Sequence, residues 1–140
     1  MGFKKMESNF SFTDISLFSS MEHNRAIGRM EAINAIVDWS KIEHLLMRKY
    51  PVGKSHEGNE AWPPLILMKG LLLTQWFKID SDPELETQIN DRISFKKFLG
   101  LSLDQRAPDH STFSRFRSRL SKDTMRLTNH ELLSQFAAKG

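Results

Sequence analysis

Pro63-Pro64-Leu65-Ile66-Leu67-Met68-Lys69-Gly70-Leu71-Leu72-Leu73-Thr74-Gln75-Trp76-Phe77 is the stretch that decides the fold. Proline at a first helical position lacks only an N–H that has no partner there, so Pro63-Pro64 suits a helix entry. The residues that follow are apolar nearly all round, the pattern of a helix covered by neighbours on every side. Lys69, Gly70, Thr74 and Gln75 interrupt the run, and from Leu65 to Phe77 it is too short to span a bilayer. The expectation is a central core helix over about 64–77.

Helical signals continue outward in both directions. Upstream, Ile27, Met30, Ile33 and Val37 recur at spacings of three and four, which predicts a helix over roughly 21–37. Ser40-Lys41-Ile42-Glu43 has capping-box spacing, and a second helix would turn Ile42, Leu45 and Leu46 inward and end near Tyr50-Pro51. Residues 51–62 read as a loop punctuated by proline and glycine. Residues 1–20 are polar, with Phe3, Phe10, Phe12 and Phe18, and read as an arm that docks through its aromatics. Downstream, Ser81-Asp82-Pro83-Glu84 repeats the capping-box spacing ahead of Leu85, Ile89 and Ile93. Phe95, Phe98 and Leu99 form a short helix stopped by Gly100. After a turn over 101–108, Asp109 or Ser111 can cap a sixth helix to about Leu120. Ser121 can cap a seventh that carries Met125, Leu132 and Phe136 on one stripe. Only two valines occur and no run alternates with period two, so the fold class is all-α: a compact multi-helix domain over 21–138 behind the arm.

Composition removes several kinds of chemistry. A chain of 140 residues suits one domain with a single core. It has no cysteine, which excludes disulfides and thiolate metal sites and fits a reducing, cytoplasmic setting. His23, His44, His56, His110 and His130 are scattered, with no pair three or four apart on one helix, so no metal cofactor is expected. No glycine-rich phosphate loop or nucleophile elbow is present. Asp82, Glu84 and Glu86 fall in the first turns of a helix, where its dipole accounts for them without any catalytic role.

Charge is distributed unevenly about a net of +3. Residues 57–91 hold seven acids against Lys69 and Lys78; residues 92–126 hold nine arginines and lysines against three aspartates. The basic block is the footprint of a face that binds a polyanion. Within it, the short helix, the turn and Ser111-Thr112-Phe113-Ser114-Arg115-Phe116-Arg117-Ser118-Arg119-Leu120 look like a variant helix-turn-helix near 94–120. At 100° per residue, Phe113, Phe116 and Leu120 share one arc and point to a core. Ser111, Ser114, Arg115 and Ser118 cluster on the far side, with Arg119 at its edge and Arg117 on the opposite flank. Small serines let a helix approach a groove, and arginine can fork onto guanine or phosphate. The candidate DNA-binding set is therefore Ser111, Thr112, Ser114, Arg115, Ser118, Arg119 and Arg117 on the helix. Lys96, Lys97 and Lys122 would hold phosphates beside it. Asp109 as a cap would discourage a phosphate at the helix tip, so contact should come from the middle of the helix.

Taken in order, these segments resemble the amino-terminal domain of InsH-type insertion-sequence transposases (insertion sequence five group). The resemblance is carried by Asn24-Arg25, Asp38-Trp39, Ile42-Glu43, Tyr50-Pro51, Trp62-Pro63-Pro64-Leu65 and Asp82-Pro83-Glu84-Leu85-Glu86. It continues through Asn90-Asp91-Arg92-Ile93-Ser94-Phe95, Phe98-Leu99-Gly100-Leu101-Ser102-Leu103 and Pro108-Asp109-His110-Ser111-Thr112-Phe113-Ser114-Arg115-Phe116-Arg117. It runs from about residue 12 to 120. Trp62 stands where the family usually has tyrosine, and Gln105-Arg106-Ala107 departs from the acidic-proline turn of relatives. The resemblance implies a helical DNA-binding region that precedes a ribonuclease-H-like domain. That later domain carries an Asp-Asp-Glu triad and Mg²⁺ and is expected to be absent from this chain. It also implies bacterial, nucleoid-associated localisation, double-stranded element-end DNA as partner, a second copy in a synaptic complex, and no membrane.

The expected function is recognition of the terminal inverted repeats of an insertion sequence. Its rivals are a module over 64–99 that pairs protomers, and a truncated transposase that acts as a non-catalytic repressor. The fold reading carries its own test: far-ultraviolet circular dichroism is expected to show strong helix and little sheet, and a strand-dominated spectrum would refute it.

Overall fold

The computed structural model describes residues 25–49 and 62–139; the expected arm and most of the loop over 51–62 lie outside the described residues. Seven helices are present among them, and no strand: α1 (Arg25–Ile36), α2 (Trp39–Lys49), α3 (Pro64–Phe77), α4 (Asp82–Asp91), α5 (Ile93–Leu99), α6 (His110–Arg119) and α7 (Lys122–Lys139). The all-α reading holds. No described helix is long and apolar enough to cross a membrane.

Helix α3 starts at Pro64 with Pro63 as its cap residue, and Ile66, Leu67, Met68, Leu71, Leu72 and Leu73 are all buried. It packs against α2, α4, α5 and α6, while α1 lies on α5 and α7 lies on α2 and α1. Around it Phe95, Phe98, Phe113 and Phe116 are fully enclosed. Each such side chain contributes about 1.5–3 kcal/mol by leaving water.

Two of the four residues that break the apolar run, Lys69 and Gly70, do the positioning. Lys69 is 8% exposed, deep for an ammonium. Its Nζ donates to the carbonyl oxygen of Phe98 at 3.0 Å and to Asn34 Oδ1 at 3.3 Å. It also sits over the rings of Trp39 and Phe98, at 4.5 and 5.1 Å from their centroids. Asn34 Oδ1 accepts from Trp39 Nε1 at 3.0 Å as well, and Asn34 Nδ2 donates to the Phe98 carbonyl. One buried cation thus joins α1, α2, α3 and α5. Burial pushes its pKa down from 10.5 to about 8.

Gly70, the next residue, meets α6. A Cβ there would lie 2.4 Å from the ring of Phe113, so α6 can dock on α3 only because that position has no side chain.

Helix ends follow local chemistry. Ser81 Oγ accepts from the Glu84 N–H at 3.2 Å, Asp109 Oδ1 from the Thr112 N–H at 2.8 Å, and Ser121 Oγ from the Thr124 N–H at 3.0 Å. The box expected at Ser40 and Glu43 gives way to Asp38: α2 begins two residues earlier, at Trp39, and Asp38 Oδ1 accepts from both the N–H and the hydroxyl of Ser40. Those hydrogen bonds hold the Asp38 carboxyl below its usual range. Gly100, at φ 84°, ends α5, with its N–H on the carbonyls of Lys96 and Lys97 and the Leu101 N–H on that of Lys96.

Two predictions follow from the Lys69-Gly70 pair. Overpacking costs about 1–3 kcal/mol, against about 1 kcal/mol of helix propensity gained on replacing glycine by alanine. Gly70→Ala is therefore expected to destabilise the protein, and to become neutral or stabilising in a Phe113→Ala background. Urea unfolding of the four proteins in a double-mutant cycle checks this; equal effects in both backgrounds would refute the contact. For Lys69, an unfolded chain holds a proton that the folded chain has released between pH about 8 and 10.5, so stability rises with pH across that window. Relative to Lys69→Met, the wild type should gain stability from pH 8 to 10; a difference that does not change with pH would refute it.

Candidate nucleic-acid interface

Helix α6 is set on its scaffold by α4, which runs antiparallel to it. Three α4 side chains, spaced four apart on one face, reach α6 or the segment that leads into it. Asn90 Oδ1 accepts from the Ala107 N–H at 2.9 Å. Glu86 Oε1 accepts from the His110 N–H at 2.8 Å and lies 3.0 Å from His110 Nδ1. Asp82 takes Ser114 Oγ on one carboxylate oxygen at 2.8 Å and Arg117 Nη2 on the other at 2.7 Å. Partial burial opposes ionisation of Asp82, yet the hydrogen bonds from Arg117 and Ser114, with the charges of Arg117 and His110, keep its carboxyl below the usual range. The spacing of Asp82, Glu86 and Asn90 is the signal in the sequence that marks this face. Read alone, the two acids needed no explanation beyond the helix dipole.

The inward arc of α6 is as expected: Phe113 and Phe116 are fully buried and Leu120 packs partly against the core. The outward residues divide into two flanks. Ser114 and Arg117 turn toward Asp82, so the expected base-facing position of Ser114 is not where the structure puts it, and Arg117 already holds a carboxylate. Ser111 and Thr112 donate their hydroxyls to Asp109 Oδ1, at 2.9 and 2.8 Å, and serve the helix cap. These bonds, with the Thr112 N–H first among them, hold the Asp109 carboxyl below its usual range. Arg115, Ser118 and Arg119 stay exposed, Ser118 Oγ donating back to the Arg115 carbonyl at 3.0 Å. Lys122 is exposed at the start of α7. Arg115, Arg119 and Lys122 make no ion pair among the described residues.

The two lysines expected to hold phosphates from α5 are placed differently. Lys96 is 7% exposed, and its Nζ donates to the carbonyls of Leu103 and Gln105 at 2.7 and 2.9 Å. It ties down the turn instead of facing solvent. Lys97 pairs with Glu31 of α1 and is mostly covered. Nor is α5 the main support of α6, as a simple helix-turn-helix would have it: α6 packs on α4 and α3.

The acids also fail as a cation site. Asp82 and Glu86 are the carboxylates that meet on one face, and both are occupied by hydroxyl, N–H and cationic partners from α6. No group of three metal-ligating side chains converges among the described residues. Among the described residues, these carboxylates do not fit a divalent-metal centre.

No solved structure matches the chain. The family described as "Transposase domain (DUF772)" matches residues 15–119, which takes in α1 to α6 with their buried node and the exposed ridge of Arg115 and Arg119. The match covers most of the chain, and the protein belongs to this transposase domain family.

Proposed function

We propose that this domain binds double-stranded DNA at the terminal inverted repeats of an InsH-type insertion sequence. In that role it positions a metal-dependent catalytic domain that does the cutting and joining. The observation that carries the reading is the exposed ridge of α6. Arg115 and Arg119, with Ser118 between them and Lys122 beyond, stand outward with no ion pair among the described residues, on a helix whose other side is pinned by two fully buried phenylalanines. Arginine that is exposed and rigidly mounted is what base-edge and phosphate recognition require. Ser111 and Thr112 contribute by fixing the helix start. Lys96 and Lys97 contribute through the turn and α1, and leave the phosphate-holding role to Lys122 and Arg119. Pairing of two copies through the region 64–99 draws on the exposed Trp76 and Phe77 at the end of α3, and belongs beside DNA binding in a synaptic complex.

Arg115→Ala is expected to cost about 1–3 kcal/mol on a duplex carrying the element's own inverted repeat and much less on a scrambled duplex. Lys122→Ala is expected to weaken both alike and to reduce the salt slope by about one. Titration of each variant on both duplexes at two salt concentrations checks this. Equal losses for both variants on both duplexes would make α6 a phosphate clamp and move base reading to the segment before Asn24.

A further inference from the structure

The flank of α6 turned toward α4 carries a second message about recognition. Ser114 and Arg117 lie one helical turn apart and converge on a single carboxylate, each on its own oxygen. A hydroxyl and a guanidinium so placed form the kind of cradle that takes a phosphate of the DNA backbone. Arg117 remains 46% exposed while Asp82 is 15% exposed, so the guanidinium is at the surface and its counter-ion is set behind it.

We infer that Asp82 is a specificity-determining residue. Its carboxylate occupies the Ser114–Arg117 cradle as an internal stand-in for a phosphate and keeps Arg117 off the DNA backbone, so the Arg115 ridge decides binding. This deepens the DNA-binding reading above and rests on it.

The geometry favours this over a purely mechanical brace. Asp82 sits in the first turn of α4, behind the Ser81 cap, where the helix end favours a negative charge. The two rungs at Glu86 and Asn90 hold α4 on α6 independently of Asp82. An ion pair this close to the surface adds little to stability. It has a larger effect on binding: an uncompensated arginine beside a groove adds affinity for any sequence, and general affinity erodes discrimination.

The test uses the whole chain with Asp82→Asn, Asp82→Asn combined with Arg117→Gln, and Asp123→Asn. The last removes one negative charge from the exposed Asp123–Arg126 pair on α7 and controls for net charge. Binding is measured on inverted-repeat and scrambled duplexes over a salt series, with thermal unfolding alongside. Asp82→Asn is expected to bind scrambled duplex more tightly, with a salt slope steeper by about 0.9 for one added phosphate contact. It should also narrow the gap between the two duplexes. Asp123→Asn and the double variant should not show this. Retention on immobilised heparin reads the release of Arg117 without any duplex, and Asp82→Asn should elute at higher salt. An unchanged slope and elution, or a gain equalled by Asp123→Asn, would overturn the inference; so would loss on both duplexes together with a lower melting temperature. Failure of the DNA-reading proposal looks different: the wild type would show no preference for the inverted repeat, whatever Asp82→Asn does on heparin.

Discussion

The buried ammonium of Lys69 is the interaction on which the arrangement of the other helices depends. An unpaired charge in an apolar interior is strongly unfavourable, so the surroundings must supply oxygens and ring faces from fixed directions. Here they come from Asn34 of α1, Trp39 of α2 and Phe98 of α5, all converging on one atom of α3. Apolar packing alone tolerates rotation and sliding of helices; a cation that needs these partners does not. One residue further on, the bare backbone of Gly70 admits Phe113 and fixes the approach of α6. Two successive positions of α3 therefore fix α1, α2 and α5 through Lys69 and α6 through Gly70.

The uneven charge of the chain resolves into a structural pattern. The acidic segment supplies α4 and the basic segment supplies α6, and the two helices lie side by side with Asp82 and Glu86 facing Arg117 and His110. Part of the basic block is thus matched internally. Among the described residues Arg115 and Arg119 on α6, Lys122 at the next helix start, Arg106 in the connector and Arg92, which lies over the Phe95 ring, remain outward without an ion pair. For the proposed DNA contact, these cations would supply the general attraction and leave the discrimination to geometry.

Much of the fold was legible because it rests on short-range rules. Pro63-Pro64 opening α3, Ser81, Asp109 and Ser121 as caps, and Gly100 as a stop each depend on a few neighbouring residues. The inward arc of Phe113 and Phe116 follows from helical periodicity alone. What was not legible depends on contacts across the chain. Lys69 and Gly70 read as interruptions because their partners lie 29 to 43 positions away. Lys96 and Lys97 read as surface cations because lysine is so seldom buried. A helical wheel separates inside from outside, but it does not say which outer flank another helix will claim. That is why the wheel groups Ser114 with Arg115, and only the contact with Asp82 shows that Ser114 belongs with Arg117.

The Lys96 ammonium, held by the Leu103 and Gln105 carbonyls, gives the link between α5 and α6 an unusual character. Connectors of this length ordinarily absorb insertions and offer proteases an easy cut, because their backbone bonds only to water. This one has two carbonyls tethered to Lys96 and the Ala107 N–H tethered to Asn90, so its path is as determined as that of a helix. It acts as a rigid strut, and adding or removing a residue within it would shift the register of α6 against Gly70. For the proposed DNA contact, the connector's length would matter as much as the residues of α6, although none of its own side chains need touch a partner.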